Sequence, residues 1–245
     1  QALDDLRERM GKFTFQVDRA VLNLPPAMHE RRFVDLSPKA TKLYRELDTM
    51  FCAQVRGGEI TASNALVKLL RLQQLTGGMA SVSDPEGEVT LRRVDSAKED
   101  ALADLLDGLS PEEPVVCFAR FRGDLETVHR VAKRLGRGSL ELSGARRELE
   151  QWQGATAPVL AVQLQAGSVR IDLTRAAYVV FLSTGFSLGD YEQALGRNHR
   201  PGQKRTVFYY HIIAQDTVDE KVYAALRARK NIVEAVLDGI HQKAS

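Results

Sequence analysis

The spacing of apolar residues changes character near residue 95. Ahead of it the pattern is mostly helical. Leu3, Leu6 and Met10, followed by Gly11, predict the tail of a helix, and Phe13-Thr14-Phe15-Gln16-Val17 alternates like a short strand. Leu24-Pro25-Pro26 breaks the chain, and His29 to Leu36 reads as extended. Ser37 with Pro38 marks the start of a helix that runs to about Val55 and is closed by Gly57-Gly58. A second helix, Ser63 to Leu75, carries Leu66, Leu69, Leu70 and Leu72 as a stripe for core packing and ends at Gly77-Gly78. Met79 to Arg93 is polar around Asp84-Pro85-Glu86-Gly87 and predicts a hairpin or a linker.

Beyond residue 95 short apolar runs alternate with amphipathic stretches. Strands are expected at Pro114 to Ala119, Ser139 to Leu142, Val159 to Leu164, Ala177 to Leu182 and Thr206 to Ile213. Helices are expected at Ser96 to Leu109, Gly123 to Leu135, Ala145 to Gln153, Leu188 to Arg200 and Thr217 to Leu237. Continuous runs such as Val115-Val116-Cys117-Phe118 fit strands covered on both faces. The alternation predicts an α/β fold with a parallel sheet, helices on both faces and right-handed crossovers. The boundary divides the chain into a mostly helical segment, 1–95, and an α/β lobe, 96–245. In an open parallel sheet, function collects at the loops after the strands' carboxyl ends. Here those loops are Arg120 to Gly123, Ser143-Gly144, Gln163 to Arg170 and Ser183 to Gly185.

The stretch after the last of these loops is the most distinctive. Ser187-Leu188-Gly189-Asp190 has the form of a capping box, so a helix opens there. Gln193, Arg197 and Arg200 then fall at i, i+4 and i+7, on one helical face. Pro201 and Gly202 should stop the helix at about Arg200, leaving that arginine at the helix end and aimed outward. Two cations with one amide suit a polyanion whose charge grows during reaction, such as a transferring γ-phosphate. A solvated basic face has the same spacing.

Composition adds exclusions. The chain has 245 residues, 44% hydrophobic and 27% charged, with a formal net charge of +2, which fits neither disorder nor a membrane protein. The absence of a signal-peptide pattern at Gln1-Ala2-Leu3-Asp4-Asp5 points to a cytoplasmic protein, and a monomer is expected. Cys52 and Cys117 have no C-x-x-C partner and support neither a disulfide framework nor a zinc site. A basic run from Arg120 to Arg147 includes Arg122, His129, Arg130, Lys133, Arg134, Arg137 and Arg146, the footprint of sequence-independent, salt-sensitive phosphate binding. For the residues inside the helix Gly123 to Leu135, a solvated face is an equal reading. Trp152 and Tyr191 read as packing residues, and His199 should point away from the arginines.

Gln193-x-x-Gly196-Arg197-x-x-Arg200-x-Gly202-Gln203, preceded by Ala166 to Thr174 and followed by Thr217-Val218-Asp219-Glu220, resembles the C-terminal RecA-like lobe of the Snf2-type helicase-like ATPases. Its look is that of the short bacterial and phage members. Leu24-Pro25-Pro26, Leu36-Ser37 and Tyr44 resemble the segment between the two lobes of that family, and Ser96-Ala97-Lys98 the entry to the second lobe. The resemblance implies a DNA-dependent ATPase and translocase. Arg197 and Arg200 would act as arginine fingers toward ATP held by another lobe, with Gln193 beside them. It further implies that Gln163, Gln165, Ala166 and Gly167 follow a nucleic-acid strand and that duplex DNA is the partner; of the basic run, Arg120 and Arg122, at the end of a strand, are the better candidates for the same role. Contacts from Gly144, Arg146 and Arg147 are less firmly implied, because the loop after Leu142 is short for the family. Arg170 stands where the family has a glycine and Asp172 where it has an asparagine; both lie near the nucleotide ribose in related helicases.

A complete motor also needs a G-x-x-x-x-G-K-[ST] loop and an acidic pair for magnesium. This chain has neither: its one Gly-Lys, Gly11-Lys12, precedes Phe13. Since the chain also opens without Met, within a predicted helix, the expectation is a fragment of a longer protein. Its N-terminal RecA-like lobe would hold ATP and Mg2+, and the fragment alone would be inactive. The competing readings are a non-hydrolytic RecA-like module for nucleic acid or protein binding, and a stand-alone small-molecule enzyme. The second of these would need acid–base groups where the strand-end loops carry arginine and glutamine.

Overall fold

The computed structural model describes residues 23–56, 62–83, 89–166, 171–229, 231, 233 and 235. The expected helix at Leu3 to Met10, the strand at Phe13 to Val17, the Gly57-Gly58 breaker, the Asp84 to Gly87 turn, and both Gly167 and Arg170 lie outside them.

Six strands form a sheet in the order β1-β8-β7-β4-β6-β5. They are β1 (Ala27–Val34), β4 (Val115–Ala119), β5 (Ser139–Leu142), β6 (Val159–Gln163), β7 (Tyr178–Phe181) and β8 (Val207–Ala214), and every pairing is parallel. The central strands read as unbroken apolar runs because both faces are covered, and β4 is buried at every position. Successive residues face opposite ways. Val116 and Phe118 pack with Phe181, Tyr209 and Trp152 under helices α1 (Pro38–Arg56), α2 (Ala62–Thr76), α6 (Leu188–Asn198) and α7 (Val218–Arg227). Val115, Cys117 and Ala119 pack under α3 (Ala97–Asp107) and α4 (Arg122–Arg134) on the other face. The α/β expectation is borne out, a RecA-like parallel sheet between two helical layers. The polar stretch before residue 95 is a hairpin of β2 (Met79–Ser83) and β3 (Val89–Arg93).

Three expectations are corrected. The stretch at His29 to Leu36 is extended as expected, but it begins earlier and ends at Val34 as the edge strand β1, in register with β8 from Ala27↔Val207 to Val34↔Ala214. Its sequence, Ala-Met-His-Glu-Arg-Arg-Phe-Val, lacks alternation because an edge strand is exposed on both faces, and its charges blunt the open edge. The helix expected at Ala145 to Gln153 is only α5 (Leu149–Gln153), since residues 143–147 fold back through a Leu142↔Arg147 bridge. The helix expected unbroken from Thr217 to Leu237 is interrupted: α7 (Val218–Arg227) closes where Arg229 turns to a φ of 53°, Val233 and Ala235 are helical again, and residues 236–237 lie outside the described ones.

The boundary near residue 95 is not a gap in packing. Asp95 accepts hydrogen bonds from the Ser37 amide at 2.8 Å and the Ala97 amide at 2.7 Å, holding the starts of α1 and α3 together. The Tyr44 hydroxyl accepts from the Val218 amide at 2.7 Å, and the Thr76 hydroxyl donates to Asp219 at 3.0 Å. Trp152 is fully buried, its indole N–H donating to Pro158 O at 3.1 Å, while Tyr191 is buried against Phe181. Both serve packing. No helix among the described residues is long and apolar enough to cross a membrane.

Beneath the carboxyl ends of the strands lies a buried polar network. Lys98, 4% exposed, sits 2.5 Å from Asp219 and donates to Leu182 O at 2.9 Å. The Arg120 amide donates to Ser183 Oγ at 2.8 Å, and the Ser183 hydroxyl donates in turn to Asp124. Gly77 gives Asp124 room, because a Cβ there would lie 2.7 Å from its carboxylate. Burial pushes the Asp124 carboxyl up to about 6, against the opposing pull of Ser183 and Lys98.

Removing one partner of a desolvated pair strands the other charge. Asp219→Ala should therefore cost on the order of 3–5 kcal/mol in urea denaturation; a loss near zero would mean that Lys98 is hydrated. For Asp124 the folded value of about 6 exceeds the ordinary 3.8, so between them the folded chain keeps a proton that the unfolded chain has released. Stability should fall as pH rises through that window, by at most about 1.4 kcal/mol per pH unit, and level off above it. Asp124→Asn should remove that decline. An unchanged pH slope in the variant would contradict this assignment.

Candidate functional site

Helix α6 begins as its capping box implies: Ser187 Oγ accepts from the Asp190 amide at 3.2 Å. The Tyr209 hydroxyl, donating to Leu195 O at 2.7 Å, ties the helix to the sheet. Its far end is locked by two amides. Asn198, fully buried, donates to Leu173 O at 2.9 Å and Ala176 O at 3.4 Å. Gln203 donates to Thr174 O, Ala176 O and Asn198 O at 3.1, 3.3 and 3.3 Å, and its carbonyl accepts from the Lys204 and Arg205 amides. Half of the motif is thus an internal clamp. It fixes the helix end against the segment that leads into β7.

The helix stops at Asn198, two residues before the expected Arg200, so the face shared by Gln193, Arg197 and Arg200 is not continuous. The Asn198 clamp draws the chain out of the helix first, and Gly202, at φ 106°, completes the turn. Arg200 lies in that turn, half-buried, and donates to Ile171 O at 3.3 Å. Gln193 is exposed and, among the described residues, hydrogen-bonds neither arginine. His199 turns away as expected, its Nε2 lying 2.7 Å from Pro25 O.

Arg197 is 7% exposed. Burial lowers its guanidinium's affinity for the proton, and Asp190, in the first turn of the same helix, acts against that shift. Arg120, leaving the carboxyl end of β4, is lowered by burial in the same way and supported by the same Asp190. Gly185 leaves space for it, since a Cβ would meet the Arg120 guanidinium at 3.0 Å. Asp190 is thus the shared counter-charge of two desolvated cations. Sequence reasoning assigned it only a capping role; its spacing of seven residues from Arg197 was the available signal.

The loop residues expected at a nucleic-acid strand assemble around Gln163. Its amide donates to Arg120 O and its carbonyl accepts from the Gly144 amide, both at 3.4 Å, joining the loops after β4, β5 and β6. Gln165 is exposed in the short 3-10 turn Leu164–Ala166, and Arg122 and Arg147 are exposed as well. Asp172 caps its own turn, accepting from the Thr174 amide at 2.9 Å and hydroxyl at 2.7 Å. Burial alone would raise its carboxyl, but those bonds and the charge of Arg200 leave it lowered.

The basic run does not survive as a single stripe. Arg130 grips Glu99 with two bonds at 3.0 and 2.7 Å, Arg134 lies 3.6 Å from Asp100, and buried Arg137 donates to Leu106 O and Leu109 O. These cations join α4 to α3. The acids that claim them lie some thirty residues earlier (|i−j| = 31 for Arg130 and Glu99), beyond the reach of local pattern. Among the described residues, no three metal-ligating side chains gather.

Comparison with known proteins agrees with this geometry. Residues 97–202 match the helicase conserved C-terminal domain. An uncharacterized ATP-dependent helicase of Mycoplasma pneumoniae is 26% identical over 97% of this chain, which spans 23% of that relative's length. The crystal structure of the C-terminal part of the Fun30 ATPase domain superposes with a TM-score of 0.72 at 17% identity, covering 90% of this chain and 98% of that one. The Sulfolobus solfataricus SWI2/SNF2 ATPase core in complex with dsDNA does so with 0.64 at 19% identity, over 95% of this chain and 52% of its own. Residues 97–202 are thus a helicase conserved C-terminal domain, and the six-stranded parallel sheet gives the chain a RecA-like fold like that of the C-terminal part of these ATPase structures.

Proposed function

We propose that this chain is the half of a DNA-dependent ATPase and translocase that completes a nucleotide site begun on another lobe. The observation that carries the reading is the buried guanidinium of Arg197, within electrostatic reach of Asp190, with Arg200 in the turn that follows its helix. A desolvated cation stabilises developing phosphate charge far better than one in water. The donor set here fits the outer oxygens of a triphosphate: guanidiniums, with no group of metal-ligating acids among the described residues. Arg197 and Arg200 would face the γ-phosphate, and Arg170 and Asp172 the ribose side. A bound ATP with Mg2+ supplies the phosphoryl chemistry; this chain's residues orient and neutralise.

An N-terminal RecA-like lobe of the intact protein would supply the phosphate loop and the acidic pair that this sequence lacks. The short share of the Mycoplasma relative spanned by the chain supports a longer protein. Duplex DNA would run along Arg120, Arg122, Arg147, Gln163, Gln165 and Gly167, read through its backbone. The Sulfolobus core bound to dsDNA supports that partner. Lobe closure on ATP and reopening after hydrolysis would then move the protein along the duplex, in the cytoplasm and as a monomer.

In the full-length protein, Arg197→Ala should lower DNA-stimulated ATP turnover by on the order of 10³-fold or more while duplex binding persists. Lost binding with intact turnover would contradict the reading. Arg147→Ala should weaken duplex binding alike for all sequences and reduce the slope of log K against log salt by about 0.9. A salt slope equal to that of the wild type would remove Arg147 from the interface.

A further inference from the structure

The strand β5 is four residues long and lies at the edge of the sheet opposite β1, yet the turn after it is built with unusual polar care. Ser143 is buried, whereas Gly144, Ala145, Arg146 and Arg147 are exposed. Ser143 Oγ accepts from the Ala145 amide at 3.0 Å and the Arg146 amide at 3.2 Å, and the Ser143 amide donates to Arg146 O at 2.8 Å. The Ser143 hydroxyl donates to Glu141 Oε1 at 2.5 Å. The other Glu141 oxygen lies 3.0 Å from His129 Nε2 on α4, whose Nδ1 is 2.8 Å from Ser139 Oγ. Glu148 closes the far side: its amide donates to Glu141 O at 3.0 Å, and its carboxylate accepts from the Glu141 amide at 2.8 Å.

A buried carboxylate on a short edge strand does little for stability that an apolar residue would not do better. What it does accomplish is to fix the backbone of a five-residue turn through a chain of hydrogen bonds anchored on α4. Arg146 lies near enough to help hold the Glu141 carboxyl down, against the burial that would raise it. The same turn meets Gln163 through the Gly144 amide, and Gln163 meets Arg120. We infer that His129, Glu141 and Ser143 are positioning residues that set the 143–147 turn in advance, so that Arg146 and Arg147 meet duplex phosphates in register with Arg120. The inference rests on the DNA-binding reading of this face and adds to it a reason for residues that touch no DNA. A turn already ordered loses less conformational freedom on binding, so its disruption weakens binding even though every arginine is still present.

The test uses the full-length protein and a labelled duplex of mixed sequence, with DNA-stimulated ATP turnover as a second readout. Ser143→Ala and Glu141→Ala should each raise the DNA concentration for half-maximal binding by roughly tenfold. The rate at saturating DNA should be retained, and Ser143→Thr should restore binding. In a background of Arg146→Ala with Arg147→Ala, adding Ser143→Ala should change nothing further, because it acts through those arginines. Wild-type binding by both Ser143→Ala and Glu141→Ala would overturn the inference, as would an effect of equal size in the arginine-free background. If the double arginine variant itself binds DNA like the wild type, the turn is not part of the interface, and both the inference and this part of the functional reading fall. Weakened binding by that variant with unaffected Ser143→Ala sinks the positioning role alone.

Discussion

A parallel sheet covered on both faces leaves polar chemistry nowhere to go but the ends of its strands. In this chain β4, β6 and β7 are apolar almost throughout, so charge is expelled to the loops and to the ground just beneath them. There Lys98 meets Asp219 and Ser183 joins Arg120 to Asp124. Each loop that carries a proposed site residue is thus underpinned by a buried or half-buried, hydrogen-bonded group. Arg120 stands on Ser183, the turn at Gly144 hangs from Gln163, and the end of α6 is bolted down by Asn198 and Gln203.

That arrangement explains why one motif serves two purposes. In Gly196 to Gln203, the amide side chains turn inward to main-chain carbonyls, while Arg197 is buried within electrostatic reach of the first-turn acid of its own helix. The clamp makes the arginines' placement reproducible. Asp190, serving Arg120 as well, ties the proposed nucleotide side of the site to the proposed DNA side through a single carboxylate. A movement of either guanidinium changes the electrostatic surroundings of the other.

Much of this was legible in the sequence because it is written in local patterns. Continuous apolar runs announced the buried strands, Ser187 and Asp190 announced the start of α6, and Pro201 with Gly202 announced its end to within two residues. What was not legible depends on distant partners. Edge strand β1 shows no alternation because neither of its faces is covered, so nothing local betrays its pairing with β8. The basic run around α4 looks like a phosphate-binding stripe until Glu99 and Asp100, on another helix, claim Arg130 and Arg134. The residues 145–148 have helical composition, yet Ser143 offers the Ala145 and Arg146 amides a better partner, and Glu141 O takes the Glu148 amide.

The central proposal is that the buried Arg197 guanidinium meets a γ-phosphate when another lobe delivers one. A structure of the full-length protein bound to duplex DNA and to ADP with beryllium fluoride, the fluoride standing in for the γ-phosphate, addresses it most directly. The account predicts the Arg197 guanidinium within about 2.7–3.2 Å of a fluoride, hydrogen-bonding distance. An Arg197 that makes no contact to the fluoride in a closed complex would contradict it.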